Sequence, residues 1–499
     1  MNKKTSVNRR AVLGGIGLSA AAGVLSAQAS EEQDGPETWD HITDVLCIGS
    51  GAAACSAAIS AVSKGAKVML LEKMPLMGGT TGKSGGVAWI CNHKILREQG
   101  IKDEKTDAIA YMAHYSFPQR FNPDSPTFGL NESDYRLIEA FYDNGYKAID
   151  FLEEVNAVKF QQFRLFQVDV PAPDYADHLP ENKTPTGRAL EPASGSGSSA
   201  GGSSLAAQME DWLATKGVPM MTDTRVTRII KKDDRVIGVE AERDGKTIRI
   251  RANKGVIFGT GGYSHNKKLV DLHQTALYGA CAMPGSTGDF ISLAGEVGAQ
   301  MGAMHTAWRT QVLFEEALNN RALGLGAFVL PGDSMIVVNK YGNRIVNEKR
   351  CYNDRTRVHF VYDPTKSEYP NQLLFMLFDE RSIDAFGGNF PFPLSKNESP
   401  YLISGDTWDD LFANIDSHLK KIASKSGGVA LENGFEDAAK DHISRFNGYA
   451  EKGEDPEFDR GKHLYDTEWH KLFSFPRKGS SFAKNPMPNI TMHPFTKKG

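Results

Sequence analysis

Residues 44–73, DVLCIGSGAAACSAAISAVSKGAKVMLLEK, constrain the fold more than any other stretch of this chain. The stretch begins with an apolar run over 44–48, which is typical of a buried parallel strand. An alanine-rich run over Ala52–Ser63 predicts a helix, and Val68–Leu71 predicts a second strand that ends at Glu72. This order of strand, helix, strand and acid predicts the βαβ unit of an α/β dinucleotide-binding domain.

The turn between the first strand and the helix, GSGAAA over residues 49–54, fits the pattern G-x-G-x-x-G/A. Gly49 permits a tight turn, Gly51 lets a pyrophosphate approach a helix N-terminus, and Ala54 keeps helix and strand close. Glu72 can accept hydrogen bonds from a ribose hydroxyl. A glycine turn alone is also typical of a purely structural loop, but the register of all parts favours a dinucleotide site. The candidate cofactor-binding residues here are Gly49, Gly51, Ala52, Ala53, Ala54, Glu72 and Lys73.

A second glycine-rich run, MGGTTGKSGG over residues 77–86, follows the acid almost at once. A nicotinamide-binding unit does not need this loop, whereas a flavin domain can use it to bring backbone close to the pyrophosphate and the ring. In the order GSGAA, LLEK, GGTT and SGG, the chain resembles the FAD-dependent oxidoreductase 2 family of fumarate reductase and succinate dehydrogenase flavoproteins, and in its motifs most of all the 3-ketosteroid Δ1-dehydrogenases. The resemblance implies FAD as cofactor, with further contacts at Gly79, Thr80, Thr81, Ser84, Gly85 and Gly86.

The resemblance also implies the domain organisation: a Rossmann-like α/β FAD-binding domain with a β-meander, and an inserted α+β substrate-capping domain. We expect the FAD-binding domain over residues 42–275, the capping domain over 276–440, and a return towards the FAD-binding domain over 441–499. Residues 255–258 are predicted to form a strand of their own that leads into GTGG at 259–262. The additional FAD contacts that the resemblance implies are Val226, Thr260, Gly261, Gly262 and Asp289.

The C-terminal end departs from the family pattern. The family continues after the cap with a second flavin-domain portion that ends in a glycine-rich AAGE or AAGN turn and a final helix, where the ketosteroid dehydrogenases place a further tyrosine and glycine. Residues 492–499 read MHPFTKKG, and the sequence has no such turn. We expect either a truncated sequence or a form that lost this half of the cofactor site, and in both cases weak retention of FAD.

Composition excludes several classes of function. Lys plus Arg number 57 and Asp plus Glu 61, for a net charge of −4, and this balance argues against a nucleic-acid partner. The five cysteines form no C-x-x-C pair, and H-E-x-x-H is absent, so no metal site is predicted. The cysteines are expected to be buried thiols rather than a disulfide framework.

The N-terminus has the pattern of an export signal. Lys3, Lys4, Arg9 and Arg10 precede an apolar run that is too short and too rich in small residues for a stable membrane anchor, and an A-x-A cleavage site ends at residue 29. The paired arginines resemble a twin-arginine signal, and an ordinary secretory signal is the alternative. We therefore expect a signal peptide over 1–29, a polar linker over 30–41, and a periplasmic mature protein.

Two tyrosines are the candidate catalytic residues. In the fumarate reductases, an arginine four residues after a glutamate of an NE motif delivers a proton, and counting from Glu348 leads here to Tyr352. The ketosteroid dehydrogenases carry a tyrosine in this region, which implies that Tyr352 acts as a base or as a hydrogen-bond donor. Tyr175, in a proline–aspartate–tyrosine loop that the family also has, is the second candidate. We expect Tyr352 in a hairpin of the cap with Tyr175 across the pocket; the alternative is a packing role.

Four other side chains of this region have alternative interpretations. Arg344, Arg350 and Arg355 could bind a substrate carboxylate, although charged residues in a hairpin more often form a solvated face. Arg350 or Arg355 would lower the pKa of Tyr352 by favouring its anion. Trp308 could line a pocket, and a buried core position is the alternative.

Together these patterns predict an exported FAD-dependent oxidoreductase that acts on a CH–CH bond next to a carbonyl group. Its partners would be a small-molecule substrate with a carbonyl or carboxylate group and an external electron acceptor or donor. One alternative is a reductase of an unsaturated carboxylate, like the fumarate or urocanate reductases. The other is a truncated flavoprotein-like module without catalytic activity.

Overall fold

The computed structural model describes residues 38–165, 169–193, 201–274, 277–394, 399–474, 476–482 and 484–496. The expected signal peptide and the first part of the expected linker lie outside the described residues. Among the helices that are described, none combines the length and the apolar character that crossing a membrane requires.

The described strands are β1 (His41–Ile48), β2 (Val68–Leu71), β3 (Ala88–Trp89), β4 (Phe160–Gln162), β5 (Arg164–Leu165), β6 (Val170–Pro171), β7 (Ala189–Pro192), β8 (Met220–Met221), β9 (Arg225–Lys232), β10 (Arg235–Arg243), β11 (Lys246–Phe258), β12 (Met335–Val338) and β13 (Phe375–Phe378). The described helices are α1 (Ala52–Ser63), α2 (Gly79–Lys83), α3 (Lys94–Glu98), α4 (Lys105–Ser116), α5 (Glu132–Glu154), α6 (Gly202–Thr215), α7 (Lys267–His273), α8 (Asp289–Glu296), α9 (Phe314–Asn319), α10 (Tyr352–Arg355), α11 (Glu380–Phe386), α12 (Trp408–Ser426), α13 (Phe435–Lys452) and α14 (Leu464–Phe473). A 3₁₀ turn, Thr356–Phe360, follows α10.

A six-stranded sheet in the order β8-β2-β1-β11-β10-β9 lies at the centre of the expected FAD-binding domain. β1 runs parallel to β2 and β11, β2 runs parallel to β8, and β10 and β9 form the antiparallel meander. Helices α1 and α6 cover one face, where Ala58, Leu70 and Leu213 are fully buried. The predicted mixed α/β fold with a parallel sheet is confirmed, and α1 and β2 have the predicted bounds.

The predicted break before residue 255 is wrong, because β11 is one continuous strand. Its first half pairs with β10 along one edge, while its second half pairs with β1 along the other edge, so no turn separates the two pairings. Asn253 and Lys254 are exposed residues within this strand. A register shift between Thr43 and Val45 of β1 interrupts the regular pairing of β1 with β11.

The cap contains the antiparallel pair β12–β13 with α12 and α13 packed against it. Its core includes Ile336 of β12, Phe412 of α12 and Phe446 of α13, and also Met492 and Phe495 from near the end of the chain. The last described residues therefore pack into the cap. Helix α14 instead packs against the neighbourhood of β5, where Leu472 shares a core with Leu165.

Candidate active site

The first part of the site consists of three glycine-containing segments, here called the nucleotide cradle: residues 49–54, 78–86 and 259–262. Gly49 has a φ of +101°, and a Cβ atom there would lie 2.4 Å from the carbonyl oxygen of Gly259. A Cβ atom on Gly259 would lie 2.7 Å from the backbone nitrogen of Ala54. Because any side chain at either glycine would overlap its neighbour, the ends of β1 and β11 meet the start of α1 through backbone atoms alone.

Hydrogen bonds join the first glycine turn to the second. The backbone N–H of Ala52 donates to Thr81 Oγ1 at 2.9 Å. The Ser50 hydroxyl donates to Glu72 at 2.6 Å and accepts the N–H of Gly78 at 2.9 Å. Ser50 occupies a variable position of the glycine pattern, so the pattern alone does not identify it.

The residues of the cradle fit FAD. Helix α1 begins after Gly51, which is extended and has no side-chain cap, and Ala53 in its first turn is exposed, so the start of this helix is accessible to an anionic pyrophosphate. Glu72 is buried, and its two oxygens accept from Ser50 and from the N–H of Met74. Each carboxylate oxygen has two lone pairs, so Glu72 keeps capacity for a ribose hydroxyl.

The other predicted FAD contacts lie around the same cradle. Thr80 accepts the N–H of Met283 at 3.2 Å, and Ser84 accepts the N–H of Gly86 at 3.0 Å. A Cβ atom on Gly86 would lie 2.5 Å from the carbonyl carbon of Gly201, so this turn also depends on close backbone contact. The remaining residues of this group, all partly or fully exposed, are Gly79, Gly85, Thr260, Gly261 and Gly262.

Three residues that were predicted to contact FAD interact with other parts of the protein in the structure. Lys73 donates to Thr287 at 2.6 Å and pairs with Asp289 at 3.3 Å. Arg225 also pairs with Asp289, at 2.9 Å, so this carboxylate has two basic partners. The side chain of Val226 is buried in the sheet core. Contacts of these residues with FAD stay predictions, and at Val226 only the backbone is available for one.

The second part of the site is a group of aromatic side chains, here called the aromatic cluster: Tyr175, Trp308, Phe328, Tyr352, Tyr465 and Trp469. The hydroxyl oxygens of Tyr175 and Tyr352 are 3.3 Å apart, and Trp308 Nε1 donates to the Tyr352 hydroxyl at 2.7 Å. The rings of Tyr175 and Tyr352 meet edge to face at 5.6 Å. The structure thus brings both predicted catalytic tyrosines together, and their catalytic roles stay predictions.

The structure contradicts two expectations from the sequence, a core position for Trp308 and a hairpin position for Tyr352. The side chain of Trp308 is 58% exposed, so a core role for it is wrong. Tyr352 is the first residue of the one-turn helix α10, not part of a hairpin, and it follows the buried Cys351. Phe328 packs edge to face on Tyr352 with ring centres 4.9 Å apart.

A buried ion-pair network holds the loop that carries Tyr175. Arg188 is fully buried and donates to Asp174 at 2.7 Å and to Asp103 at 2.7 Å. Trp89 donates its indole N–H to the other oxygen of Asp174 at 2.7 Å. Because Asp174 directly precedes Tyr175, this network fixes the backbone from which the tyrosine projects. The sequence showed the PDY loop but not its anchor, since Arg188 and Asp103 lie far apart in the chain.

The three arginines near Tyr352 were expected either to bind a substrate carboxylate or to form a solvated face. Both expectations are wrong, because each arginine is largely buried and bonded within the protein. Arg344 pairs with Glu348, and Arg355 donates to Gln311 and to the carbonyl of Ala327. Arg350 donates to the Tyr175 carbonyl at 2.8 Å, and it also pairs at 3.0 Å with two carboxylates, those of Asp177 and Asp466. Arg350 therefore fastens the Tyr175 loop and α14 to the segment that carries Tyr352.

The expected lowering of the Tyr352 pKa is also wrong. Burial raises the pKa of Tyr352, and the hydrogen bonds from Tyr175 and Trp308 oppose that rise only in part. The pKa of Tyr175 is raised well above its ordinary value, first by burial and then by the proximity of Tyr352. Of the two phenols, Tyr352 is therefore the one whose anion its hydrogen-bond partners favour.

A cavity in the cap lies apart from the nucleotide cradle and the aromatic cluster. In the cap, a cavity of about 930 Å³ lies between residues 309–315, the β12–β13 pair and α12, and neither Tyr175 nor Tyr352 lines it. No group of three or more His, Cys, Asp or Glu side chains within the described ranges could hold a metal ion. The described cysteines are free thiols.

Comparisons with known proteins agree with this geometry. A family model described as "FAD binding domain" matches residues 44–494. The 4-oxocyclohexanecarboxylate 2-dehydrogenase of Sinomonas cyclohexanicum is 28% identical, over 85% of this chain and 76% of that protein. The 3-oxosteroid 1-dehydrogenase of Mycolicibacterium smegmatis is 27% identical, over 85% and 80%.

Among solved structures, the 3-ketosteroid delta1-dehydrogenase from Sterolibacterium denitrificans, in complex with 1,4-androstadiene-3,17-dione, has a similar fold. It superposes with a TM-score of 0.67 at 23% identity, covering 92% of this chain and 86% of that chain. An open conformation of a flavocytochrome c3 fumarate reductase gives a TM-score of 0.53 at 20% identity, over 85% of this chain and 64% of that one.

Proposed function

Because the chain belongs to the FAD-binding family whose model matches residues 44–494, we propose that it oxidises a CH–CH bond next to a carbonyl group. It is an FAD-dependent oxidoreductase of the ketosteroid dehydrogenase and fumarate reductase type. The observation that carries the finer proposal is the hydrogen-bonded pair of Tyr175 and Tyr352, with Trp308 donating to the second hydroxyl. A tyrosine pair of this kind supplies a base and a donor without any metal.

In the proposed reaction, the oxygen of Tyr352 takes the proton from the carbon next to the carbonyl group. FAD held in the nucleotide cradle would supply the acceptor for the hydride of the adjacent carbon, and the loss of both hydrogens would leave a carbon–carbon double bond between the two carbons. We assign the base to Tyr352 rather than Tyr175, because the neighbours of Tyr352 donate hydrogen bonds to it whereas the pKa of Tyr175 is raised well above its ordinary value. An external acceptor then removes the electrons from the enzyme.

Two findings favour a ring ketone over an unsaturated carboxylate. Arg344, Arg350 and Arg355 are bonded within the protein, so none of these arginines is available to bind a substrate carboxylate. The two dehydrogenases described above, of Sinomonas cyclohexanicum and Mycolicibacterium smegmatis, are named for substrates that carry an oxo group on a ring. We therefore propose a saturated cyclic ketone as the substrate and its α,β-unsaturated ketone as the product.

The test is the change Tyr352→Phe in the FAD-loaded protein, assayed with cyclic ketones and an artificial electron acceptor. Removing the hydroxyl keeps the ring contacts with Phe328 and deletes the proton acceptor. We expect turnover to fall by about 10²–10⁴-fold, the usual effect of one acid–base group, with an unchanged flavin spectrum. Tyr362→Phe, at an exposed tyrosine of the cap, is the matched control and should keep normal turnover.

Near-normal turnover of the Tyr352→Phe protein would refute the assignment of the base. If Tyr352→Ala additionally unfolded the cap, the residue would be structural. Reduction of an unsaturated carboxylate, with no oxidation of any ketone, would favour the alternative reaction direction.

We also propose export to the periplasm by the twin-arginine route, on the basis of Arg9 and Arg10 before the apolar run. This route carries folded proteins, which suits a chain that must acquire FAD in the cytoplasm. Replacing both arginines by lysine should leave the precursor in the cytoplasm. An unchanged periplasmic yield would indicate the general secretory route instead.

A further inference from the structure

Trp308 makes an unusual combination of contacts for an exposed side chain. The residue is 58% exposed, yet its indole N–H is directed at the Tyr352 hydroxyl, 2.7 Å away. An indole N–H can only donate, so the Tyr352 oxygen must be the acceptor. The orientation of this hydrogen bond is therefore fixed, whichever protonation state Tyr352 has.

A second donor is available to the same oxygen. The hydroxyl of Tyr175 lies 3.3 Å from that of Tyr352, and Tyr175 is the more deeply buried of the two phenols. When Tyr175 donates, two hydrogen bonds end on the Tyr352 oxygen. Two donors aimed at one oxygen are the arrangement that stabilises a developing negative charge.

We propose that Trp308 is a positioning residue that stabilises the phenolate of Tyr352 through its indole N–H. This inference rests on the proposed function of Tyr352 as a base. A purely packing role does not account for the geometry, because more than half of the surface of Trp308 stays in contact with solvent. Trp308 would act through Tyr352, and its own ring need not touch the substrate.

Apart from Tyr175, the other groups around Tyr352 donate no hydrogen bond to its oxygen among the described contacts. Tyr352 is preceded by Cys351, whose pKa burial raises to about 12 and whose proximity raises that of Tyr352. On its own helix, Asp354 accepts from the hydroxyl of Tyr115. The remaining titratable and charged neighbours are Tyr175 in its loop, Tyr465 on α14 behind Tyr175, and Arg350 and Arg355 with the partners given above.

The direct test measures the pKa of the phenol at position 352 in the FAD-loaded protein. A ring-fluorinated tyrosine placed at 352 lowers the phenol's pKa into a range where the protein stays folded, and fluorine NMR then follows this residue alone. We expect Trp308→Phe to raise its pKa by about one to two pH units, the effect of losing one hydrogen bond to a charged group. In the unlabelled Trp308→Phe protein, a higher pKa of Tyr352 leaves less phenolate at any fixed pH below that pKa. Turnover at such a pH should therefore fall by about 10- to 100-fold.

Two variants separate the donor from the ring. Trp212→Phe removes an indole N–H that donates to the carbonyl of Val155 at 2.9 Å, outside both parts of the site, and it should leave the pKa at 352 unchanged. Trp308→Gln keeps an N–H donor without the aromatic ring, and it should bring the pKa back towards that of the unchanged protein. An equal pKa in the Trp308 and Trp308→Phe proteins would overturn the proposal.

The NMR measurement also separates this inference from the proposed function. If Tyr352→Phe kept its turnover, Tyr352 would not be the base. The pKa shift on Trp308→Phe would still establish the hydrogen bond, but its catalytic meaning, and with it this proposal, would fail. If Tyr352→Phe lost its turnover while Trp308→Phe left the pKa unchanged, only the role of Trp308 would fail.

Discussion

The nucleotide cradle and the aromatic cluster are built in different ways. The cradle comes mostly from residues 49–86 and depends on backbone approaches that only glycine permits, as at Gly49 and Gly259. The aromatic cluster brings together side chains from distant parts of the chain: the hydrogen bond between Tyr175 and Tyr352 joins residues that are 177 positions apart. The comparison teaches that the first two segments of the cofactor site, within residues 49–86, are a local property of the chain, whereas its third segment, at 259–262, and the proposed catalytic site depend on distant contacts.

Charge is the second difference between the two regions. Buried ion pairs surround the aromatic cluster, among them those of Arg188, Arg350 and Glu348. In the cradle the central contacts are between backbone atoms and hydroxyl groups, as at Ser50 and Thr81. Changes of charge and pH should therefore act on the cluster, and changes of shape should act on the cradle.

The largest effect is expected when Arg350 is replaced by methionine. The change leaves the carboxylates of Asp177 and Asp466 without their shared partner, and it releases the Tyr175 carbonyl. Breaking a buried pair from one side costs about 3–5 kcal/mol, which urea unfolding of the FAD-loaded protein would measure. Arg357→Met, at an exposed arginine of the same cap, is the control and should change stability by less than about 0.5 kcal/mol. A similarly small loss of stability for Arg350→Met would contradict the role of Arg350 in joining the Tyr175 loop and α14 to the segment that carries Tyr352.

Acid should weaken the cap before it affects the cradle. Burial alone raises the pKa of Glu348, but Arg344 and Arg460 outweigh it and lower that pKa from 4.5 to about 2. A lowered pKa means that the stabilisation is present above about pH 4.5 and is lost as the pH falls towards 2, an effect of about 3 kcal/mol. Because the N–H of Val337 donates to Glu348, hydrogen exchange at Val337 should accelerate over this range, and exchange in β1 should change less. Equal acceleration in both strands would remove the contrast between the regions.

The cradle should respond to the addition of a single methyl group. Gly49→Ala combines a left-handed backbone with an overlap on Gly259, and we expect a loss of about 2–3 kcal/mol together with weaker FAD binding. Gly65→Ala is the matched control, because Gly65 also has a positive φ but a Cβ atom there would meet nothing within 4 Å. Titration with FAD and thermal unfolding would measure both effects. Equal losses for the two variants would show that backbone strain alone matters.

The smallest expected effect is that of Ser50→Ala, which removes the link between the two glycine loops. Glu72 loses a donor and the N–H of Gly78 loses an acceptor, at a cost of about 1 kcal/mol. FAD affinity should fall by a similar amount, and turnover at saturating FAD should stay normal. Ser63→Ala, at an exposed serine of α1, provides the baseline. A loss of turnover at saturating FAD would mean that the cradle also positions the reacting groups.

The two regions also differ in how far the sequence could predict them. The bounds of α1 and β2 and the pairing of β1 with β2 follow from short apolar runs and a glycine turn, because their contacts lie within one βαβ unit. The continuity of β11 was not predicted, because this strand pairs with β10 over its first half and with β1 over its second half, and only the tertiary structure shows both partners. Tyr175 and Tyr352 were identified by resemblance, and nothing in their spacing indicated that they touch.

By itself, the sequence determined the α/β fold, the FAD cofactor and the family, because each depends on a contiguous pattern of residues. Only the tertiary structure decided that Trp308 donates to Tyr352 and that Arg350 joins the Tyr175 loop to α14. It also decided that the arginines near Tyr352 are bonded within the protein instead of being solvated. The physical reason is that the partner, the burial and the pKa of a side chain depend on groups that folding brings together from distant positions. Local sequence patterns do not predict these contacts.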